Sequence, residues 1–258
     1  MQIGIIHRMW YMLIFAGAVS LVCMTHLSQA AIYVEGGFGT QPSFGNYLIK
    51  WLRGMTELKQ EQNSREVFIP CEWIVLQLSY MTIIAGYAGT NLRQCGYQIF
   101  LRSGSKLNWW RSKYIWLLGT TILYYLVFIG IVWSFAMASG NGTIQITSNL
   151  WVGQARLYHN WAVILITSVL ANYAIGSIQL VLEIIATPII AIVVTMGYCV
   201  AGVFWCQMAF VGNYGMLYRT DSLNGSNGLN SLLGMAISLL IILCTYIAGR
   251  IYIRKFEI

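Results

Sequence analysis

RQCGYQIFLRSGSKLNWWRSK, residues 93–113, is the stretch that decides how the chain is arranged. It holds five of the fifteen lysines and arginines and no acidic residue, and apolar runs flank it on both sides. Lysine and arginine accumulate on the cytoplasmic side of membrane proteins, and indole rings anchor in the headgroup layer. We therefore predict that this segment, called the cationic segment below, lies at the cytoplasmic face of a membrane and contacts another component there.

The composition supports a membrane location independently of any pattern. Hydrophobic residues make up 58% of the chain and charged residues only 9%, whereas a soluble domain carries about 25% charged residues. Apolar runs of about 20 residues are long enough to cross a hydrocarbon core about 30 Å thick. The 258 residues therefore predict one all-α integral membrane domain with six transmembrane helices.

The fourth and fifth crossings are the least obvious, because residues 161–210 are almost wholly apolar. This run is more than twice as long as one crossing needs, so it has to reverse once. A charge is costly in mid-bilayer and proline breaks a helix, so Glu183 and Pro188 mark the reversal. The predicted spans are residues 9–32, 71–90, 114–138, 161–182, 187–207 and 231–250.

The first apolar run has a competing interpretation. Residues 28–31, Ser-Gln-Ala-Ala, have the small-residue spacing of a signal-peptide cleavage site. A cleaved signal peptide and a retained helix are both compatible with this pattern, and we favour the retained helix.

Two polar stretches, residues 33–70 and 213–230, are predicted to be external. Within the first, residues 47–53 mix aromatic and aliphatic side chains with Lys50 and Arg53. This pattern is typical of an amphipathic helix on a membrane surface, and equally of an ordinary packed helix.

The charge distribution tests this topology. The segments predicted to be cytoplasmic hold nine basic residues against two acids, and the external segments hold six bases against six acids. The whole net charge of +7 therefore falls inside, in keeping with the positive-inside rule. Both termini are predicted to be cytoplasmic.

The arrangement resembles the permease subunit of bacterial ABC exporters of the ABC-2 superfamily. The likeness extends over the whole chain, with six spans, a long first external loop and a short cytoplasmic coupling helix between spans two and three. Its sharpest part is the pattern G-x-Q-x-x-L-R-S-G-S-K-x-x-W-W-x-S-K over residues 96–113. Residues 45–48, 68–73 and 249–258 resemble the same group.

The resemblance implies a multi-pass protein of the bacterial cytoplasmic membrane. A separate ATP-binding cassette subunit would bind ATP and Mg, a second permease chain would pair with this one, and residues 94–106 would dock in a groove of the ATPase. Site residues of this coupling segment, 93–113, would be Gln98, Arg102, Ser103, Lys106, Trp109, Trp110 and Lys113.

Physical chemistry suggests roles for some of these residues. Trp109 and Trp110 can anchor the segment in the membrane interface, while its bases can reach lipid phosphates or carboxylates of a partner, namely Arg102, Lys106, Arg111 and Lys113. The alternative is that these side chains only orient the helix pair.

No sequence motif indicates chemistry in this chain itself. Ser103-Gly104-Ser105-Lys106 lacks the upstream glycine of a phosphate loop, and a nucleophile elbow G-x-S-x-G is absent. His7, His26 and His159 lie in different segments, without metal-ligand spacing or a neighbouring carboxylate. We therefore expect neither an enzyme nor a metal or cofactor site, and nothing indicates a nucleic-acid partner.

Glu183 has two interpretations, an interfacial charge in the turn or a functional carboxylate paired with a base of the coupling segment or of a partner. Intramembrane polarity is otherwise sparse, which favours an amphipathic or hydrophobic cargo, such as a peptide, lipid or drug, over small ions. The competing function is a non-transport binding module, for example an immunity or sensor-associated protein, that recognises a ligand through its external segments.

Overall fold

The computed structural model describes residues 2–35, 42–55, 70–89, 92, 105–139, 142–146 and 157–255, with side chains of the first helix from residue 10 to residue 29. In these ranges the secondary structure is helical, apart from an isolated bridge between Thr220 and Leu229. The helices are α1 (Gln2–Glu35), α2 (Phe44–Leu52), α3 (Cys71–Ile84), α4 (Lys106–Ala138), α5 (Trp161–Ile185), α6 (Pro188–Phe204), α7 (Asp221–Asn224) and α8 (Ser231–Lys255). Short 3-10 helices, Val211–Gly215, Leu217–Arg219 and Gly225–Asn227, lie between α6 and α8.

The lengths of the apolar helices fall into two groups. Four are long and apolar enough to cross a membrane, namely α4, α5, α8 and α1 through its part Trp10–Gln29. The apolar helices α3 and α6 have only 14 and 17 residues, or about 21 and 26 Å against a hydrocarbon core of about 30 Å. The described residues thus have the character of an α-helical membrane protein, and six crossings remain a prediction.

An aromatic core joins α3 to α4. The rings of Tyr80 and Tyr124 lie 5.4 Å apart between centroids. The Tyr80 hydroxyl shares a hydrogen bond with the Thr121 hydroxyl at 2.7 Å, and the Tyr124 hydroxyl donates to the Leu76 carbonyl at 2.6 Å. Lipid tails are as apolar as leucine side chains, so helix association in a membrane depends on close packing and interhelical hydrogen bonds. The two tyrosines supply both.

Helix α1 packs into this same core. Its Phe15 stacks on Tyr124 with 4.5 Å between ring centroids, and Val19 and Cys23 are fully buried. Residues 28–31 continue the helix. Removal of α1 would uncover part of the core, and retention of this helix stays a prediction.

Helix α2 lies inside the bundle. Every side chain from Phe44 to Leu52 is buried except Lys50, which is half-buried. The Trp51 ring meets Phe128 of α4 edge-on at 5.6 Å between centroids. The Ser43 hydroxyl accepts the Asn46 N–H at 3.3 Å and so caps the helix. Of the two interpretations of residues 47–53, the packed helix is confirmed, and the helix on the membrane surface is wrong.

The reversal between α5 and α6 lies at the position expected from the sequence. α5 ends at Ile185 and α6 begins at Pro188, so that two residues form the turn. The Thr187 hydroxyl accepts the Ile190 N–H at 3.3 Å. Proline suits the first helical position because no hydrogen-bond donor is needed there. The reversal predicted from Glu183 and Pro188 is therefore confirmed.

Candidate functional site

The cationic segment, residues 93–113, is described only from residue 105 onward. Gln98, Arg102 and Ser103 lie outside the described residues, so their predicted role stays a prediction. From Lys106 the chain is continuous with α4, and the Ser105 hydroxyl caps this helix by accepting the Asn108 N–H at 3.1 Å. Residues 106–113 form the first two turns of the same helix that contains the predicted span 114–138, so the two are continuous, and the point at which the span begins stays a prediction.

The two tryptophans anchor this part of the chain to protein instead of lipid. Trp110 is 0% exposed, and its indole N–H donates to the Tyr246 carbonyl of α8 at 3.0 Å. A Cβ on Gly249 would lie 2.0 Å from the Trp110 ring, so only glycine lets α8 approach this closely. Trp109 is also buried. The expectation that the indoles insert into the headgroup layer is therefore wrong.

Lys113 is buried as well. It is 4% exposed, its ammonium group donates to the Tyr87 carbonyl at 3.1 Å, and it lies 3.5 Å from the centroid of the Tyr87 ring. That ring in turn stacks on Trp116 at 3.6 Å between centroids. In this conformation Lys113 holds the chain that follows α3 and reaches neither lipid phosphate nor a partner, contrary to expectation.

Other basic side chains do face outward at this end of the bundle. Arg111 is exposed and Lys106 is half-buried near the start of α4, and Arg254 and Lys255 are exposed at the end of α8. The contact between Trp110 and α8 brings these two distant parts of the sequence to the same end. We call it the basic end. A protein surface or membrane of negative potential is the natural partner for such an end.

Glu183 lies close to this end, in the last turn of α5. It is 1% exposed and its carboxylate accepts the Gly86 N–H at 2.9 Å and the Gln179 side-chain N–H at 3.3 Å. Gln179 also donates to the Met81 carbonyl of α3 at 3.0 Å. The Glu183 carboxylate is thus not exposed to solvent at the turn, and in these contacts it is not paired with a basic residue. It binds the backbone that leads from α3 toward the cationic segment.

Arg219 is the buried charge that the sequence reasoning missed. It is 2% exposed and donates to the Gly202 and Val203 carbonyls, to Met55 O at 2.9 Å and to Asn213 Oδ1 at 2.5 Å. Gly202 and Val203 belong to the last turn of α6, whose carbonyls have no partner within the helix. Arg219 therefore satisfies the end of a short helix inside the bundle.

A sequence signal for this arrangement does exist. Residues 204–218, FWCQMAFVGNYGMLY, carry no charge although they follow an apolar helix directly. Residues 211–217 are all buried, and Val211 packs with Ala171 and Ala174 near the middle of α5. α6 is eight residues shorter than its neighbour α5. Residues 211–217 fill the resulting space of about 12 Å. The charge count treated Arg219 as an external residue and therefore did not predict that it is buried at the end of α6.

Two of the histidines do have carboxylate neighbours, contrary to the sequence reasoning. His26 Nε2 lies 3.5 Å from Glu72 Oε1, which Lys50 also approaches at 3.6 Å, and His159 Nε2 lies 3.2 Å from Asp221 Oδ2. These pairs join helices and loops that are distant in sequence. Among the described residues, no group of three or more potential metal ligands lies together.

Comparison with known proteins gives no match. No protein-family model, no curated protein and no solved structure matches the chain. The interpretation of the basic end therefore depends on its own residues and their contacts.

Proposed function

We propose that this chain is the transmembrane subunit of an ABC exporter, which moves an amphipathic or hydrophobic compound outward, and that a separate subunit hydrolyses ATP. The observation that supports it most is the basic end. There the cationic segment runs into α4, its exposed bases lie at the same end of the bundle as those of α8, and buried groups fix its neighbouring residues to the bundle.

These contacts suit a segment that receives force from a soluble partner. Trp110 joins the start of α4 to α8, and Lys113 joins it to the chain after α3. Packed helices of this kind move as rigid bodies, because close-packed contacts deform little. A push at the basic end would therefore displace whole helices instead of bending one loop.

The buried polar groups described here also bear on the cargo. Glu183, Lys113 and Arg219 are all engaged by backbone or side-chain groups of the protein. None of them has an obvious role as a dedicated ion ligand, whereas ion-coupled carriers place such groups at open binding sites. The bundle thus offers mainly apolar and aromatic surface, as an amphipathic peptide, lipid or drug requires.

The competing function, a binding module that recognises a ligand through external segments, receives less support. It needs polar side chains that are presented to the outside. Of the described parts of those segments, α2 and residues 213–217 are packed into the bundle, and exposed polar side chains, such as Asn227 and Asn230, lie only in residues 218–230.

The experiment that tests the proposal is capture of an ATPase. The chain in lipid nanodiscs is incubated with the candidate ATP-binding cassette subunit, and complex formation is measured by size-exclusion chromatography and light scattering. We expect a stable complex that is lost when Arg102 and Lys106 are both replaced by glutamate. Each lost charge-assisted hydrogen bond reduces affinity by about tenfold or more.

The matched control is the charge reversal of Arg254 and Lys255, which also lie at the basic end but outside the cationic segment. This variant has the same change in net charge and should retain most of the binding. Equal binding by both double variants would contradict a docking role of the cationic segment. No complex with the wild-type chain would contradict the exporter subunit itself.

A further inference from the structure

The bend between α3 and the cationic segment lies directly on the last turn of α5. α3 ends at Ile84, and residues 85–88 form a turn. Gly86 has φ of 72°, a backbone conformation that favours glycine. A Cβ on Gly89 would lie 2.4 Å from the Glu183 carbonyl oxygen. Two glycines are thus required for the backbone of the bend to meet α5 at this distance.

The Glu183 carboxylate is the polar half of the same contact. Its Oε1 accepts the Gly86 N–H at 2.9 Å, and the N–H groups of Ala88 and Gly89 also face it. A carboxylate with 1% exposure has little access to water, so these backbone donors replace its hydration. Separation of the bend from α5 would leave the Glu183 carboxylate and the backbone N–H groups of the bend without hydrogen bonds. Because this costs free energy, the contact resists separation.

We propose that Glu183 is a positioning residue that transmits displacement of the cationic segment to the α5–α6 hairpin. This inference depends on the proposed function. Lys113 holds the same bend from the other side through the Tyr87 carbonyl. The bend therefore has two attachments, one to α4 through Lys113 and one to α5 through Glu183. Because only two residues separate α5 from α6, motion of the last turn of α5 carries the start of α6 with it.

The contact itself is tested on the chain alone, in nanodiscs, by hydrogen exchange of the amides of residues 85–89. We expect exchange about tenfold faster in Glu183→Leu than in the wild type, since a buried acceptor is lost. Glu183→Gln keeps an acceptor oxygen and should restore most of the protection. Unchanged exchange in Glu183→Leu would overturn the proposal.

The transmission is tested on the complex with its ATPase. Exchange is compared with and without a non-hydrolysable ATP analogue, at the cationic segment and at the α5–α6 turn, residues 186–190. In the wild type we expect a nucleotide-dependent change at both places. In Glu183→Leu the change at the cationic segment should remain, and the change at the α5–α6 turn should be lost. A purely structural role would not separate these two responses.

A second variant covers the case in which Glu183→Leu does not fold. Gly89→Ala leaves the charge intact but forces the bend away from α5, so it should also lose the response at residues 186–190. Gly197→Ala on α6 is the matched control, because a Cβ there has no neighbour within 4 Å. It should behave as the wild type.

The outcomes separate the two proposals. If the ATPase binds and the variants still transmit the nucleotide response to residues 186–190, the role of Glu183 is overturned while the exporter subunit stands. If no ATPase binds and the wild type shows no nucleotide response, the exporter subunit is overturned, and the transmission role with it. The exchange result on the chain alone then still reports whether the contact with the bend exists.

Discussion

Two places in the bundle use a buried charge to complete an interrupted backbone, and they do so with opposite signs. At the basic end, Glu183 accepts N–H groups of the bend after α3. At the end of α6, Arg219 donates to the last carbonyls of a helix. The sign follows from the backbone, since free N–H groups are partly positive and free carbonyls partly negative. The free N–H groups of the bend are thus met by an anion, whereas the free carbonyls at the end of α6, like the Tyr87 carbonyl of the bend, are met by a cation.

The two places differ in their surroundings. Arg219 binds three separate parts of the chain, the end of α6, Asn213 and Met55, all of them buried. Glu183 binds one short bend that leads to an outward-facing basic segment. We therefore expect Arg219 to govern stability and Glu183 to govern communication with a partner.

Replacement of Arg219 by leucine should have the largest effect on stability. Several buried carbonyls lose their donors, and hydrogen bonds to a charged group contribute about 1.5–3 kcal/mol each, so a loss of about 3 kcal/mol or more is expected. Chemical unfolding in detergent micelles measures it. Arg111→Leu, at an exposed position, should stay within about 0.5 kcal/mol of the wild type. Similar losses in both variants would contradict the capping role of Arg219.

Gly249→Ala comes next, because it tests whether the basic end is as tightly built as the end of α6. The new methyl group would overlap the Trp110 ring, and overpacking of this kind costs about 1–3 kcal/mol. Gly119→Ala on α4 has no neighbour within 4 Å and should be neutral, or stabilising by up to about 1 kcal/mol through helix propensity. Thermal unfolding followed by tryptophan fluorescence distinguishes the two, and equal behaviour would place Trp110 elsewhere.

Lys113→Met should destabilise the chain by a smaller amount. Methionine has a side chain of similar length but loses both the bond to the Tyr87 carbonyl and the contact of the ammonium group with the Tyr87 ring, at a cost of about 1–2 kcal/mol. Lys255→Met, at an exposed position of α8, is the control and should have little effect. Denaturant unfolding measures the difference. If Lys113→Met unfolds as the control does, the bend is held by Glu183 alone.

His159→Gln should give the smallest change. The contact between His159 and Asp221 is partly exposed, and even a charged pair at such a position contributes at most about 1 kcal/mol. The Asp221 carboxylate keeps its bond with the Ser231 N–H at 3.1 Å, so the start of α8 stays capped. A loss as large as that of Lys113→Met, in the same unfolding measurement, would show that this pair is more than a surface contact.

The sequence predicts the helical character and the α5–α6 reversal because both depend on local properties. A long apolar run has to turn, and Glu183 with Pro188 marks where. The sequence does not predict whether a basic or aromatic side chain is buried against other helices or exposed at the surface. Trp110 and Lys113 are residue types that often anchor a helix at the membrane interface. Trp110 is instead packed against Gly249 of α8, and Lys113 binds the Tyr87 carbonyl, both far away in sequence. Only the packing of helices determines this.

The burial of Arg219 could not be predicted from its sequence neighbours either. Its neighbours in sequence, residues 213–230, are polar and read as an external loop. The uncharged run of residues 204–218 indicates that the chain stays within the bundle, but not that an arginine completes α6. For the cationic segment, the described residues 105–113 fix its attachment to α4, and the docking role of residues 93–104 stays a prediction.

The capping of α6 by Arg219 also sets an order of events during biogenesis. The ribosome completes α6 before it adds the fifteen residues up to position 219. Until then the terminal carbonyls of the α5–α6 hairpin lack their guanidinium donor. The α5–α6 hairpin therefore reaches its final hydrogen bonding only after residue 219 has been added and has folded back onto the end of α6.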